Sequence, residues 1–339
     1  LFLGSYPITP ASEILQELAA RKDLGVITVQ AEDEIAGICT AIGASFAGNL
    51  AATSTSGPGL ALKSEGINLA VMAELPLVII DVQRGGPSTG LPTKTEQSDL
   101  LQALYGRNGE SPLVVLAAST PSNCFDFAYM ASKLALEHMT PVILLTDGFL
   151  ANGSSAWRLP DLSQFPAINP PFVHEEMQGK WAPYLRNEQG SRYWAIPGTE
   201  GFAHRIGGLE KDSRTGAIST DPANHQLMTD LRQQKIDNIA NVIPPLQLSG
   251  NSNADLLVVG WGGTYGHLYS AVRQFNEQGR QAALAHFNYL NPLPANTEEV
   301  LNGFKKIVVC ELNSGQFASH LRSKLKLKGE ILQYNKVQG

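Results

Sequence analysis

The run Leu77-Val78-Ile79-Ile80-Asp81-Val82 constrains this chain more than any other stretch of it. Its apolar residues do not alternate with polar ones, so neither face of a strand built from them can meet water. Such runs belong to parallel sheets covered by helices on both faces. Val114-Val115-Leu116 and Val142-Ile143-Leu144-Leu145 repeat the pattern, with a helix expected between them at Ser122–Glu137. The run Val26-Ile27-Thr28-Val29 and the stretch Ala51-Ala52-Thr53-Ser54-Thr55 are further strand candidates. Leu1-Phe2-Leu3-Gly4 reads as the end of another, so the chain is expected to begin inside a domain. Residues Asp33–Ala47, small and apolar after an acidic first turn, predict a helix packed closely on the sheet, and a second helix is expected from about Leu60 to Glu74. Strands alternating with helices predict a parallel α/β domain over residues 1–151.

Residues 152–245 break this rhythm. They hold Trp157, Trp181 and Trp194 among many prolines and glycines, and read as an irregular arm ending in a polar helix near Asp221–Ile239. A second α/β unit is expected over 246–339. Its strands are Leu256–Gly260, Ala282–Asn288 and Lys306–Cys310, and its helices Tyr265–Glu277 and Gln316–Leu325. The 339 residues are 43% hydrophobic and 17% charged with a net charge of −6, which gives nucleic-acid binding no electrostatic support. No apolar run reaches the roughly 18–20 residues that a membrane span needs. Cys39, Cys124 and Cys310 stand far apart, form no disulfide framework, and fit a reducing cytosol. The seven histidines are scattered, so no metal site is expected from this chain alone.

Five segments carry candidate chemistry, each with an ordinary structural counterpart. Gly4-Ser5-Tyr6-Pro7-Ile8-Thr9-Pro10 holds Thr9 at the carboxyl end of a strand, where α/β ligands bind; equally, Thr9 caps a helix that Pro10 begins. In Gln30-Ala31-Glu32-Asp33-Glu34 one glutamate faces a buried heterocycle, or the cluster merely complements a helix dipole. Ser56-Gly57-Pro58-Gly59 is a tight strand-to-helix loop that lets a ligand approach free N–H groups; it is also an ordinary βα turn, and it is neither a GxxxxGK[ST] nor a GxGxxG motif. Arg84, at the end of the apolar run and before Gly85-Gly86-Pro87-Ser88-Thr89-Gly90, is placed to grip a carboxylate, with Arg107 as a weaker candidate of the same kind. Gly260–Gly266 either accepts an anion or lets a helix pack closely on its strand.

Together and in this order, YPITP, QAEDEIAG, TSTSGPG and QRGGPSTGLPT resemble the alpha subunits of the 2-oxoacid:ferredoxin oxidoreductases. The resemblance covers nearly the whole chain, and RGGPSTGLPTKTEQSDL favours the 2-oxoglutarate branch over the pyruvate branch. It implies a thiamine-diphosphate pyrimidine-binding domain followed by an α/β domain similar to the transketolase C-terminal domain. It implies roles as well. Glu32 contacts the aminopyrimidine ring, with Glu34 as the alternative; Thr9 and Arg84 bind the 2-oxoacid; Ser56, Gly57 and Pro58 line the cofactor pocket. The implied reaction is oxidative decarboxylation of 2-oxoglutarate to succinyl-CoA with electrons passed to ferredoxin. The chain has no GDG…N stretch and no clustered cysteines, so Mg²⁺ and a [4Fe–4S] cluster are expected on a partner beta subunit. A gamma domain or subunit is expected too, the domain lying before Leu1 if it is fused, and the arm with its tryptophans is expected to face partner subunits. Three alternatives stay open: another 2-oxoacid as substrate, the beta component of a 2-oxoacid dehydrogenase, and a non-catalytic paralogue.

Overall fold

In the computed structural model, which describes residues 1–338, twelve strands form two sheets. Gly339, the end of the expected third segment, lies outside the described residues. The first sheet takes its strands from the runs named above: β1 (Phe2–Ser5), β2 (Ile27–Gln30), β3 (Ala51–Thr55), β4 (Leu77–Gln83), β5 (Val114–Ala117) and β6 (Pro141–Asp147). All six pair in parallel, in the order β5-β6-β4-β3-β1-β2. β4 sits in the middle, and six of its seven residues are buried, as an unbroken apolar run requires.

Seven helices belong to this sheet: α1 (Ser12–Ala19), α2 (Glu34–Phe46), α3 (Gly57–Leu62), α4 (Ser64–Ala73), α5 (Leu100–Tyr105), α6 (Asn123–His138) and α7 (Gly148–Asn152). The single helix expected from Leu60 to Glu74 is interrupted at Lys63, whose fully buried side chain is drawn inward to the Glu34 carbonyl at 3.1 Å. Nor does Pro10 begin a helix with Thr9 as its cap. α1 starts at Ser12 behind Ala11, and no side chain caps it.

The arm holds only short 3₁₀ turns until α8 (Pro222–Asn238). It is nonetheless tied down. Arg186 Nη1 and Lys235 Nζ both reach Glu74 Oε2, at 2.7 and 2.6 Å, and the Arg192 guanidinium donates to the Ala73 and Glu74 carbonyls that end α4. The expectation that its tryptophans face partners fails for Trp194, which is buried within this chain, stacked on Phe172 and packed on Leu136 and Met139. Trp157 is exposed.

The second sheet comprises β7 (Leu248–Gly250), β8 (Leu256–Trp261), β9 (Ala282–Phe287), β11 (Lys306–Glu311) and β12 (Glu330–Asn335), in the order β12-β11-β8-β9-β7. Around it lie α9 (Tyr265–Glu277), α10 (Thr297–Asn302) and α11 (Gln316–Lys324). The strand expected to run to Asn288 instead stops at Phe287. Its continuation, β10 (Tyr289–Asn291), crosses to the first sheet and pairs antiparallel with β5. One hydrophobic core therefore joins Ile38, Ile67 and Leu100 of the first unit to Trp261, Phe287 and Phe317 of the second.

Candidate active site

In an open parallel sheet the loops at the carboxyl ends of the strands form the ligand crevice. Here β2, β3 and β4 deliver three polar segments to that edge. β3 ends at Thr55, directly opposite Asp81 of β4, and β1 is stitched to β3 by a Ser5 hydroxyl bond to the Ser54 carbonyl of 2.8 Å. The loop after β3 starts α3. Its cap residue, Ser56, is fully buried with its hydroxyl unpartnered, and Pro58 lies in the first turn, where its missing N–H is harmless.

The loop after β2 separates the two glutamates. Asp33 takes the cap position of α2 and accepts from the Ala36 amide at 2.7 Å. That turns Glu32 outward, where it is exposed, and Glu34 inward, where it is 8% exposed. Glu34 lies across the first turn of α3, and Gly59 permits this. A Cβ there would stand 2.9 Å from Glu34 Cγ and 2.0 Å from the Thr55 hydroxyl. Lys63, held down to about 8 by burial against the pull of Glu34 and Asp33, backs the same turn.

Arg84 follows β4 and is 6% exposed. Its Nη1 donates to the Thr9 carbonyl at 2.6 Å, so Thr9 and Arg84 do meet, but through the Thr9 backbone; the Thr9 side chain is exposed. Nε of Arg84 is buried without an acceptor, and among the described residues no carboxylate forms an ion pair with it. The loop beyond it closes on itself, with the Gly85 amide on the Lys94 carbonyl and the Leu91 amide on the Gly85 carbonyl, both at 2.8 Å. Glu96 returns to accept from the Gly86 amide at 3.2 Å, and the Ser98 hydroxyl donates to the Arg84 carbonyl at 2.9 Å.

These parts border a cavity of about 490 Å³ lined by Gly57, Pro58, Arg84, Glu96 and Asp99 from the first unit, with Asn313 and Gln316 from the second. Of the residues singled out in the sequence, Gly57, Pro58 and Arg84 line it. Ser56, Glu34, Glu32 and Thr9 do not line it. Sequence reasoning missed the far wall. Asn313 stands in no motif, and only the fold brings its Nδ2 to 2.8 Å from the Gln97 carbonyl.

The two remaining candidates are structural. Arg107 spends its guanidinium on the Ala103 and Leu104 carbonyls that end α5 and on Ser111, and burial holds it down to about 10. The Gly260–Gly266 turn is closed by Asp147, whose Oδ2 leaves 2.1 Å for a Cβ at Gly263.

A family model described as "Pyruvate flavodoxin/ferredoxin oxidoreductase, thiamine diP-bdg" matches residues 1–219. The 2-oxoglutarate oxidoreductase subunit KorA of Mycobacterium tuberculosis is 53% identical over 339 residues, 99% of this chain and 51% of that protein. The 2-oxoglutarate synthase subunit KorA of Methanothermobacter marburgensis is 32% identical over 340 residues, 100% of this chain and 90% of that one. Among solved structures, a 2-oxoglutarate:ferredoxin oxidoreductase from Magnetococcus marinus, with 2-oxoglutarate, coenzyme A and succinyl-CoA bound, superposes with a TM-score of 0.91. It is 36% identical and covers 99% of this chain and 58% of its own. A split-gene transketolase, at 12% identity and a TM-score of 0.55 over 98% of this chain and 82% of its own, shares the fold. The chain thus spans about half the length of the Mycobacterium tuberculosis relative.

Proposed function

Because this chain belongs to the alpha-subunit family of the 2-oxoacid:ferredoxin oxidoreductases, we propose that it supplies half of a thiamine-diphosphate site for oxidative decarboxylation of 2-oxoglutarate to succinyl-CoA. Electrons pass to ferredoxin. The other half, with Mg²⁺ and a [4Fe–4S] cluster, belongs to a beta subunit, and a gamma domain or subunit completes the assembly in the cytosol. No helix of the described residues is long and apolar enough to cross a membrane.

One observation carries this reading: a buried guanidinium, ion-paired with no carboxylate among the described residues, stands at the carboxyl end of β4, and a glutamate cluster stands at the carboxyl end of β2 in the same sheet. The residues present fit the cofactor. The unpartnered Ser56 hydroxyl and the side-chain-free Gly57 and Gly59 offer a close approach, and Glu34 supplies a carboxylate screened from water. Thiamine diphosphate, when bound, supplies the carbon nucleophile and the electron sink for decarboxylation.

The chain's own residues do the rest. We keep the carboxylate that holds the ring nitrogen's proton at Glu32, whose exposure in the lone chain the beta subunit would end, with Glu34, already screened from water within this chain, as the alternative. Arg84, fixed by the Thr9 carbonyl, meets the carboxylate of the 2-oxoacid with charge-assisted hydrogen bonds. The Gly85–Lys94 loop, exposed from Gly86 to Lys94, roofs that contact against water.

The test is viologen-dye reduction by the purified native complex with CoA and thiamine diphosphate, comparing 2-oxoglutarate, pyruvate and 2-oxoisovalerate. A preference for 2-oxoglutarate is expected. A preference for another acid overturns the substrate assignment, and no reduction in a complex holding cofactor and cluster overturns the reaction.

A further inference from the structure

Two aspartates beneath the cavity take no part in the account so far. Asp81 is the fifth residue of β4, is 0% exposed, and has neither carboxylate oxygen hydrogen-bonded. Asp99 stands just before α5. Its amide donates to Gln83 Oε1 at 3.1 Å, and its Oδ2 is buried and unpartnered. The two carboxyl groups lie within hydrogen-bonding reach of each other. Gly57 makes the arrangement possible, since a Cβ there would stand 2.5 Å from Asp99 Oδ1.

Ionised carboxylates only accept hydrogen bonds. Two of them facing each other would leave three buried oxygens without a donor, and they would repel in a low-dielectric setting. A proton between them ends the repulsion and gives two of those three oxygens a partner in one O–H···O⁻ bond, the shortest and strongest kind available to such groups. The Ser98 hydroxyl favours the ionised form of Asp99, but among the described residues no donor reaches either Asp81 oxygen or Asp99 Oδ2. β3 presents Thr55 in register with Asp81 and β6 presents Leu145; α3 presents Gly57. The charged groups that act on the pair are Arg84, which favours ionisation of Asp99, and Glu96, which opposes it. Burial, with the like charge of Asp99 added, holds Asp81 protonated well above the ordinary aspartate range.

Glu96, Asp99 and Arg84 all line the cavity. With both aspartates ionised, two negative charges would stand at and beneath the cavity floor in addition to Glu96, and an anionic substrate would meet a repulsive floor. We propose that Asp81 and Asp99 share one proton beneath the cavity and act as a positioning pair that preserves the pull of Arg84 on an anionic substrate. The role at Arg84 rests on the functional reading above; the shared proton does not.

Two measurements on the holo-complex separate these. Infrared difference spectra at neutral pH between wild type and Asp81→Asn are expected to show a protonated-carboxyl band that the variant lacks. Asp99→Asn provides the same comparison if the first variant fails to assemble. No such band in wild type overturns the shared proton, whatever the enzyme's substrate. In steady-state kinetics, the wild-type KM for the 2-oxoacid is expected to climb as pH rises through loss of that proton, approaching tenfold per pH unit. In Asp81→Asn the asparagine amide donates to Asp99 and carries no charge, so that climb is expected to vanish while kcat follows the wild-type pH profile. A band lost in the variant with KM climbing identically in both proteins overturns the positioning role and leaves a structural pair.

Discussion

Glu32 and Glu34 are two residues apart, yet the helix cap between them sends one to solvent and one to the interior. A side chain acting as acid and base inside a cofactor pocket must be shielded, which at Glu32 falls to the beta subunit, and general acid–base catalysis contributes roughly 10²–10⁴-fold in rate. Glu32→Gln is therefore expected to lower kcat of the complex by about that factor, and Glu34→Gln to leave it within a few-fold; the reverse would move the role to Glu34. Equal losses in the two variants would remove the assignment. At Arg84 the expected effect falls on KM. Arg84→Gln takes away a charge-assisted contact of about 1.5–3 kcal/mol, which is roughly 10–100-fold in KM for the 2-oxoacid. A kcat loss with KM unmoved would place Arg84 elsewhere in the mechanism. Ser56, Gly57, Pro58 and Arg84 were legible as candidates because a Gly/Pro loop and an arginine after a strand have few other local reasons to occur. The choice between Glu32 and Glu34 was not legible. Any of the three acids suits a helix N-terminus, and only the fold shows that Asp33 takes the cap. Asp81 was invisible for the opposite reason, as a single acid inside an apolar run whose partner, Asp99, comes from a distant loop.

At the scale of elements, the arm is held by charge instead of by regular structure. α4 ends at Glu74 and α6 at Met139, both in the left-handed conformation that closes a helix. Lys235 of α8 donates to the Met139 carbonyl at 2.8 Å as well as to Glu74, so one ammonium joins two helix ends and an acid. Burial alone would raise the Glu74 carboxyl, but Lys235 and Arg186 outweigh it and hold it at about 2. Lys235 gains less, because burial drives it down to about 8 even with Glu74 beside it. The group therefore fixes geometry more than it adds net stability, as buried ion pairs commonly do. Removing one partner is a different matter. Glu74→Gln leaves two cations buried with no counter-charge and is expected to cost about 3–5 kcal/mol in chemical denaturation; a cost under 1 kcal/mol would contradict the account. The pH dependence has a definite sign. A carboxyl held below its usual value contributes fully above about 4.5, and that contribution drains away as pH falls toward about 2. Acid denaturation of wild type should steepen across that window, and the Glu74→Gln variant should lack that component. The sequence pattern showed an arm without periodicity but could not show what anchors it, because Arg186, Arg192 and Lys235 lie 112 to 161 residues from their Glu74 and Ala73 partners.

Across the whole molecule, the two units share one hydrophobic core, and a few polar side chains and one migrating strand fix how they meet. Gln97 donates to the Trp261 carbonyl at 2.7 Å and accepts from the Leu312 amide at 3.0 Å, and β10 leaves the second unit to complete the first sheet. The cavity needs this joint, since Asn313 and Gln316 form its far wall. Parallel strands and their helices were readable from unbroken apolar runs. The strand exchange was not, because Tyr289–Asn291 is three residues long and continues a run that already reads as one strand. The joint also shapes the central claim, because Arg84 and the far wall border only one side of the proposed site and the metal-bearing side is assigned to another subunit. The measurement that tests this most directly is 2-oxoglutarate-dependent viologen reduction, in the presence of CoA, thiamine diphosphate, Mg²⁺ and the gamma component, by this chain alone, by its beta partner alone and by the two mixed. Turnover is predicted only in the mixture. Turnover by the isolated chain, or none from a mixture that holds both cofactor and cluster, would contradict the half-site account.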